Sequence, residues 1–142
     1  MEETKRFPYE KVIITDHFDV HQDWSVPIPG FFIIESRRKI NSFSEFNEAE
    51  IEEFTRVLCK LRKGMKEVLK INGAYIFQRE DSEEGFHLWV FPRHKWMEKF
   101  GRKVESVRPI IEYAKKNMNK EEITSEVKIS VQKMEEFMKG LE

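Results

Sequence analysis

His87 and Trp89, held between Gly85 and the pair Pro92-Arg93, are the residues of this chain best suited to carry chemistry. If the stretch Gly85-Phe86-His87-Leu88-Trp89-Val90-Phe91 is extended, alternation puts Phe86, Leu88 and Val90 on one face. Gly85, His87, Trp89 and Phe91 then share the other. The first set is a core face. The second places an imidazole beside an indole and next to a glycine that leaves room. Imidazole as a group titrates near neutrality, and its unprotonated nitrogen is a competent nucleophile or general base. A single histidine is also a common structural residue, so spacing alone leaves both readings open.

Other side chains carry weaker signals. The Arg93 guanidinium could pair bidentately with a phosphate, or be a surface charge at a strand end. His17, Asp19, His21 and Asp23 alternate and could ligate a divalent metal. The reading taken here is a polar, solvated face of an edge strand, so no metal and no other cofactor is expected. His94, beside Lys95 and Trp96, reads as a loop residue. Cys59 has no basic neighbour on a catalytic face and reads as inert. Arg37-Arg38-Lys39 could steer a phosphorylated ligand, but such a run is usually a solvated turn. Trp89 and Trp96 could stack a base, although Trp96 with Met97 and Phe100 reads as a hydrophobic lid or a dock for the C-terminal segment.

The elements that must position these residues are legible from periodicity. Phe18 to Asp23 alternates loosely, and the rigid turn Val26-Pro27-Ile28-Pro29-Gly30 feeds an apolar run, Phe31 to Ile34, that reads as a strand covered on both faces. Ile51, Phe54, Leu58, Leu61, Met65 and Val68 step by threes and fours, which predicts a long helix. Asn47 and Glu50 fit a capping box at its start, and Asn72-Gly73 fits its end. Ala74 to Gln78 and Phe86 to Phe91 read as strands around a polar turn. Two amphipathic helices follow, one starting at Ser106 and carrying Val107, Ile110, Ile111 and Ala114. The other starts at Asn119 and carries Ile123, Val127, Val131, Met134, Met138 and Leu141. Strands, long helix, strands, helices in that order predict an α+β fold with an antiparallel sheet.

Composition bounds the class. The chain has 142 residues, 39% hydrophobic and 13% aromatic, enough for a core without disulfides. Its 25 basic and 26 acidic residues leave a net charge of -1, which argues against a generic binder of nucleic acid or membrane surfaces. No apolar run approaches the roughly 20 residues of a membrane span, and MEETKRFPYE has no apolar stretch of the secretory kind. One cysteine cannot form an intramolecular disulfide. These features predict a soluble, cytoplasmic protein.

The stretch around His87 resembles the signature of the histidine-triad (HIT) superfamily, in which three histidines alternate with apolar residues, often before Pro-Arg. Counting back from Pro92 puts Trp89, His87 and Gly85 at the third, middle and first histidine. The turn before Phe31 resembles the family's Pro-Gly-His turn, with Phe31 in place of histidine. Of four histidines usual in such sites, His87 alone is present. The resemblance spans roughly residues 18–93. It implies a HIT-like domain over residues 1–100 and a helical C-terminal extension, 101–142, packed on it.

It also implies a function. His87 would attack the α-phosphorus of a nucleotide, such as a dinucleoside polyphosphate or nucleoside phosphoramidate, making the protein a nucleotidyl hydrolase or transferase. Trp89, Gln78, Arg93, Phe31 and Gly85 would line the substrate site. The partner would be a nucleotide or other phosphorylated small molecule, with no sequence-specific nucleic acid and no membrane, and the chain would form a homodimer. The alternative is a HIT-derived module that has lost catalysis and serves ligand binding or protein interaction.

Overall fold

The computed structural model describes residues 11–141. Five strands form one antiparallel sheet: β1 (Lys11–Ile14), β2 (Phe18–Gln22), β3 (Phe32–Ser36), β4 (Ala74–Gln78) and β5 (His87–Pro92), in spatial order β1-β2-β3-β5-β4. Helix α1 (Glu48–Glu67) joins β3 to β4, and α2 (Val107–Asn117) and α3 (Glu121–Met138) follow β5. This is the expected antiparallel α+β architecture.

Both faces of the sheet are covered, and by different helices. Phe18, Val20, Phe32, Ile34, Leu88 and Val90 point to one face and pack under α1 and α3. Ile33 and Phe91 point to the other and pack with Val107, Ile110 and Ala114 of α2. A strand buried on both sides needs apolar residues at successive positions rather than alternation, which is why Phe32-Ile33-Ile34 carries no polar face.

Helix α1 begins as its sequence dictates. The Asn47 side chain accepts from the Glu50 amide at 2.9 Å, and the Glu50 carboxylate accepts from the Asn47 amide at 2.9 Å. Phe54, Leu61 and Met65 are buried, but Ile51 is 51% exposed. The inward place at that turn belongs to Glu50, which is fully buried and meets Arg38 Nη2 at 2.8 Å. The Arg38 guanidinium holds the Glu50 carboxyl below the usual range against the opposing effect of burial.

The helix also stops earlier than Asn72-Gly73 predicts. It ends at Glu67, and the left-handed residue is Lys70, with φ 58°. The Ile71 amide reaches back to the Met65 carbonyl, and this turn drives Ile71 into the core at 3% exposure. Burial of one large side chain, worth about 1.5–3 kcal/mol, outweighs the cost of a left-handed lysine, about 1–2 kcal/mol.

Neither C-terminal helix has a side-chain hydrogen bond from its N-cap residue, Ser106 for α2 and Lys120 for α3. The Ser106 hydroxyl donates to the Lys103 carbonyl and accepts from Arg93, and α3 is preceded by Lys120 rather than Asn119 as its cap residue. Helix α3 buries Val127, Val131, Met134 and Met138 against β1 and α1. Gly64 of α1 makes this approach possible, since a Cβ there would lie 2.6 Å from Met134 Cε and 2.7 Å from Phe137 Cδ2.

Candidate functional site

Strand register assembles a row of ionisable side chains across one face of the sheet. Glu35 pairs with Asp19 on β2 and with His87 on β5, so the three lie abreast. The next row in register is His21, Ile33, Trp89 and Phe77. This is the face opposite α1. Helix α2 covers the Ile33–Phe91 part of it, and the His87 row lies beyond, with the imidazole 16% and the Glu35 side chain 38% exposed.

The geometry of His87 is defined by two contacts. Its Nδ1 lies 3.1 Å from the Gly85 carbonyl, an acceptor only, so Nδ1 carries the proton. Its Nε2 lies 3.5 Å from Glu35 Oε1. In the neutral ring Nε2 is therefore the lone-pair nitrogen, and it faces the Glu35 carboxylate. Gly85 has φ +93°, and a Cβ there would meet the Ile40 carbonyl at 3.4 Å. The glycine thus serves the backbone turn that supplies the His87 acceptor, and the space beside it is bounded by the Ile40 carbonyl.

One carboxylate, Glu35, lies beside this imidazole, and a second, Asp19, stands in the same row one strand further on. Asp19 Oδ2 accepts from Lys11 Nζ at 2.7 Å, and its Oδ1 lies 3.6 Å from His21 Nδ1. Burial opposes ionisation of Asp19, but the neighbouring His21 ring and the hydrogen bond from Lys11 outweigh it and hold the carboxyl below its usual range. Glu35 was not singled out by the sequence. The signal was its spacing of two from Ile33, but only the pairing of β3 with β5 brings it beside His87.

The other predicted site residues are placed elsewhere. Phe31 is fully buried, edge-on to Trp89 at 5.3 Å and to Phe91 at 5.1 Å, so it is a wall of the second core and not a contact surface. Trp89 is half-buried, 6.5 Å from Phe77 between ring centroids. Gln78 pairs with Leu88 and so lies on the α1 face, away from His87, where its amide donates to the Asn41 and Arg79 carbonyls. Arg93 donates to Ser106 Oγ and the Gly101 carbonyl and lies over the Tyr75 ring at 5.0 Å. It ties the end of β5 to α2. Neither Gln78 nor Arg93 reaches the His87 row in this arrangement.

The set His17, Asp19, His21 and Asp23 also divides. His17 precedes β2, and its Nδ1 lies 3.1 Å from Glu53, whose Oε2 accepts from the Thr15 hydroxyl at 2.6 Å. Asp23 accepts from the Ser25 and Val26 amides and shapes the turn. Among the described residues no three His, Cys, Asp or Glu side chains converge as a metal site. Arg37 donates to the Thr15 carbonyl and Arg38 to Glu50, so that basic run serves the fold.

His94 is a part-buried imidazole at the other end of β5. Its Nε2 is 2.6 Å from the Pro29 carbonyl, and burial pushes its pKa below the ordinary 6.5. A pH prediction follows from the sign of these shifts. The unfolded chain protonates His94 first, so its contribution to stability is complete above pH 6.5 and declines as pH falls below that value. Asp19, Glu50 and Glu53 have lowered values, so the contributions of the two glutamates persist to about pH 4.5 and that of Asp19 to about pH 3.8, and each disappears as pH falls through its folded-state value. For Glu53, burial opposes ionisation and the bonds from Thr15 and His17 outweigh it. Unfolding temperature against pH should therefore fall in two stages, and His94→Gln should remove the upper one. An unchanged upper stage in the variant would assign it to another group.

No protein-family model matches the chain, and no curated protein matches it. Solved structures do. A zinc-bound histidine triad family protein from Mycobacterium smegmatis aligns over 89% of this chain and 86% of its own, with a TM-score of 0.57 at 12% identity. A HIT-like protein involved in cell-cycle regulation from Bartonella henselae gives 0.57 at 14% identity, over 90% and 86%. The fold is that of the histidine-triad proteins. A HIT family member from Bacillus subtilis adds a TM-score of 0.54 at 16% identity, over 78% of this chain and 88% of its own. The histidine-triad fold explains why the turn at Gly30, the long helix and the β5 motif occur in the order the resemblance implied. Among the described residues no helix is long and apolar enough to cross a membrane.

Proposed function

We propose that this chain is a histidine-triad-fold binding module that does not transfer nucleotidyl groups, with the His87 face as its ligand site. The observation that carries this reading is the row Asp19–Glu35–His87. Transfer at phosphorus needs donors aimed at the developing negative charge, and each is worth on the order of 10²–10³ in rate. Here the groups abreast of the imidazole are carboxylates, and the two phosphate-binding candidates, Gln78 and Arg93, are bonded elsewhere. A structural neighbour from Sulfolobus tokodaii is described as a hypothetical histidine triad nucleotide-binding protein, so a nucleotide or nucleoside is the first ligand class to test. The wild type should hydrolyse adenosine 5′-phosphoramidate and diadenosine tetraphosphate no faster than His87→Ala. Turnover that His87→Ala abolishes would overturn the proposal.

One observation favours the other reading. The Nδ1 contact with Gly85 leaves the lone pair on Nε2, as a nucleophile requires, although that nitrogen lies beside the Glu35 carboxylate. If turnover is found, His87 is the residue that attacks the α-phosphorus, and the protein is a nucleotidyl hydrolase or transferase.

The same proposal includes assembly and organisation. Residues 1–100 would form the histidine-triad unit, and 101–142 an extension that completes its core. Strand β4 pairs with β5 alone and leaves an open edge, with Ile76 47% exposed. Such edges recruit strands, and this supports a homodimer built on β4. Light scattering should give twice the 17.2 kDa chain mass, and Ile76→Lys should halve it. A wild-type monomer at micromolar concentration would reject the dimer.

A further inference from the structure

A second concave site lies at the other end of β5 from His87. A half-open cavity of about 390 Å³ is lined by the Pro29 turn, the 3₁₀ helix Lys95–Phe100, the α2–α3 connection and the first half of α3. Its walls are apolar: Trp96, Met118, Ile123 and Ile129. Three polar side chains stand on this lining: His94, Glu126 and the Ser130 hydroxyl, which can accept as well as donate. The volume is at the low end of the range for small-molecule pockets, which are mostly apolar with a few placed polar groups.

His94 and the charged Glu126 select the chemistry. His94 Nε2 faces the Pro29 carbonyl at 2.6 Å, so it holds the ring proton, and Nδ1 of the neutral ring is an acceptor. Burial keeps the ring neutral, against the pull of the Glu126 charge. Glu126 is exposed to solvent on α3 and adds a carboxylate. The cavity therefore offers acceptors and a negative charge beside an indole. An anion would meet Glu126 without a compensating cation on this lining, and a neutral apolar ligand would leave both acceptors unused. We infer that this cavity binds a small protonated amine bearing one aromatic or branched apolar group. The apolar body lies against Trp96 and Ile123, and the ammonium group donates to Glu126 and to His94 Nδ1. This site shares no residue with the His87 row, so it stands independently of the function proposed above.

Phenethylamine and 3-phenylpropionate are matched probes, alike in body and opposite in charge. Titrated into the full chain at pH 7.5 and followed by NMR, the amine should saturate while shifting the Trp96 indole N–H and the His94 ring signals. The acid should shift neither. Glu126→Gln should weaken amine binding roughly tenfold, as expected for losing a charged hydrogen-bond partner. Glu126 is exposed, so the variant should keep the wild-type unfolding temperature. Equal binding of the acid, shifts confined to Trp89 and His87, no saturation, or an unchanged affinity in Glu126→Gln would each overturn the inference.

Discussion

Replacing Phe86 by alanine should lower unfolding stability by about 3–5 kcal/mol, whereas His87→Ala, one residue on, should cost about 1 kcal/mol. The two side chains leave the same strand end in opposite directions. Phe86 is 1% exposed, with its ring centroid 4.9 Å from Phe43, 5.1 Å from Phe46 and 5.8 Å from Phe54. Its loss opens a void among aromatic rings that α1 and the preceding loop hold in place and that cannot collapse to fill it. His87 contributes one hydrogen bond to Gly85 and a longer contact to Glu35. Urea unfolding of both variants, followed by circular dichroism, measures the contrast. Equal losses would mean that His87 is a packing residue, and the assignment of its face as a site would fall with it.

The second large effect concerns charge. Glu35→Gln should strengthen binding of AMP about tenfold while leaving adenosine affinity nearly unchanged. A carboxylate at about 4 Å from a phosphate costs between about 1 and 4 kcal/mol depending on local solvation, and 1.4 kcal/mol is a factor of ten. The difference between the two ligands isolates the phosphate, since both carry the same base and ribose. Tryptophan fluorescence is a suitable reporter because Trp89 occupies the row next to Glu35. If AMP and adenosine change together, electrostatics is not what the row contributes. If wild type already binds AMP more tightly than adenosine, the row is no barrier to phosphate at all.

Much of this architecture could be read before any coordinates. The helical stripe of α1, its Asn47–Glu50 box, the strand Ala74–Gln78 and the two-faced character of residues 86–91 rest on local periodicity and capping, which the chain carries in short windows. The misplacements have one cause. Ile51 and Glu50 compete for the same inward position, and a partner twelve residues back, Arg38, decides it. The end of α1 is set by where Ile71 can be buried, not by the nearest glycine. The site was harder still. Gln78 and Arg93 have the right chemistry for phosphate, but strand register sends one to the far face and α2 claims the other. Glu35 became visible only through the pairing of β3 with β5, a contact between residues more than fifty apart in the chain.

The seating of α3 on β1 has a bearing on how the chain reaches this state. The first described strand and the last helix share a core through Val12, Ile13, Val127 and Val131. On the ribosome, β1 and β2 emerge long before the surface that covers them has been synthesised. Contacts so distant in sequence form late and set the pace of folding. A nascent chain halted within α2 would leave the apolar side of β1 uncovered, so it is the docking of α3 that closes this face of the sheet.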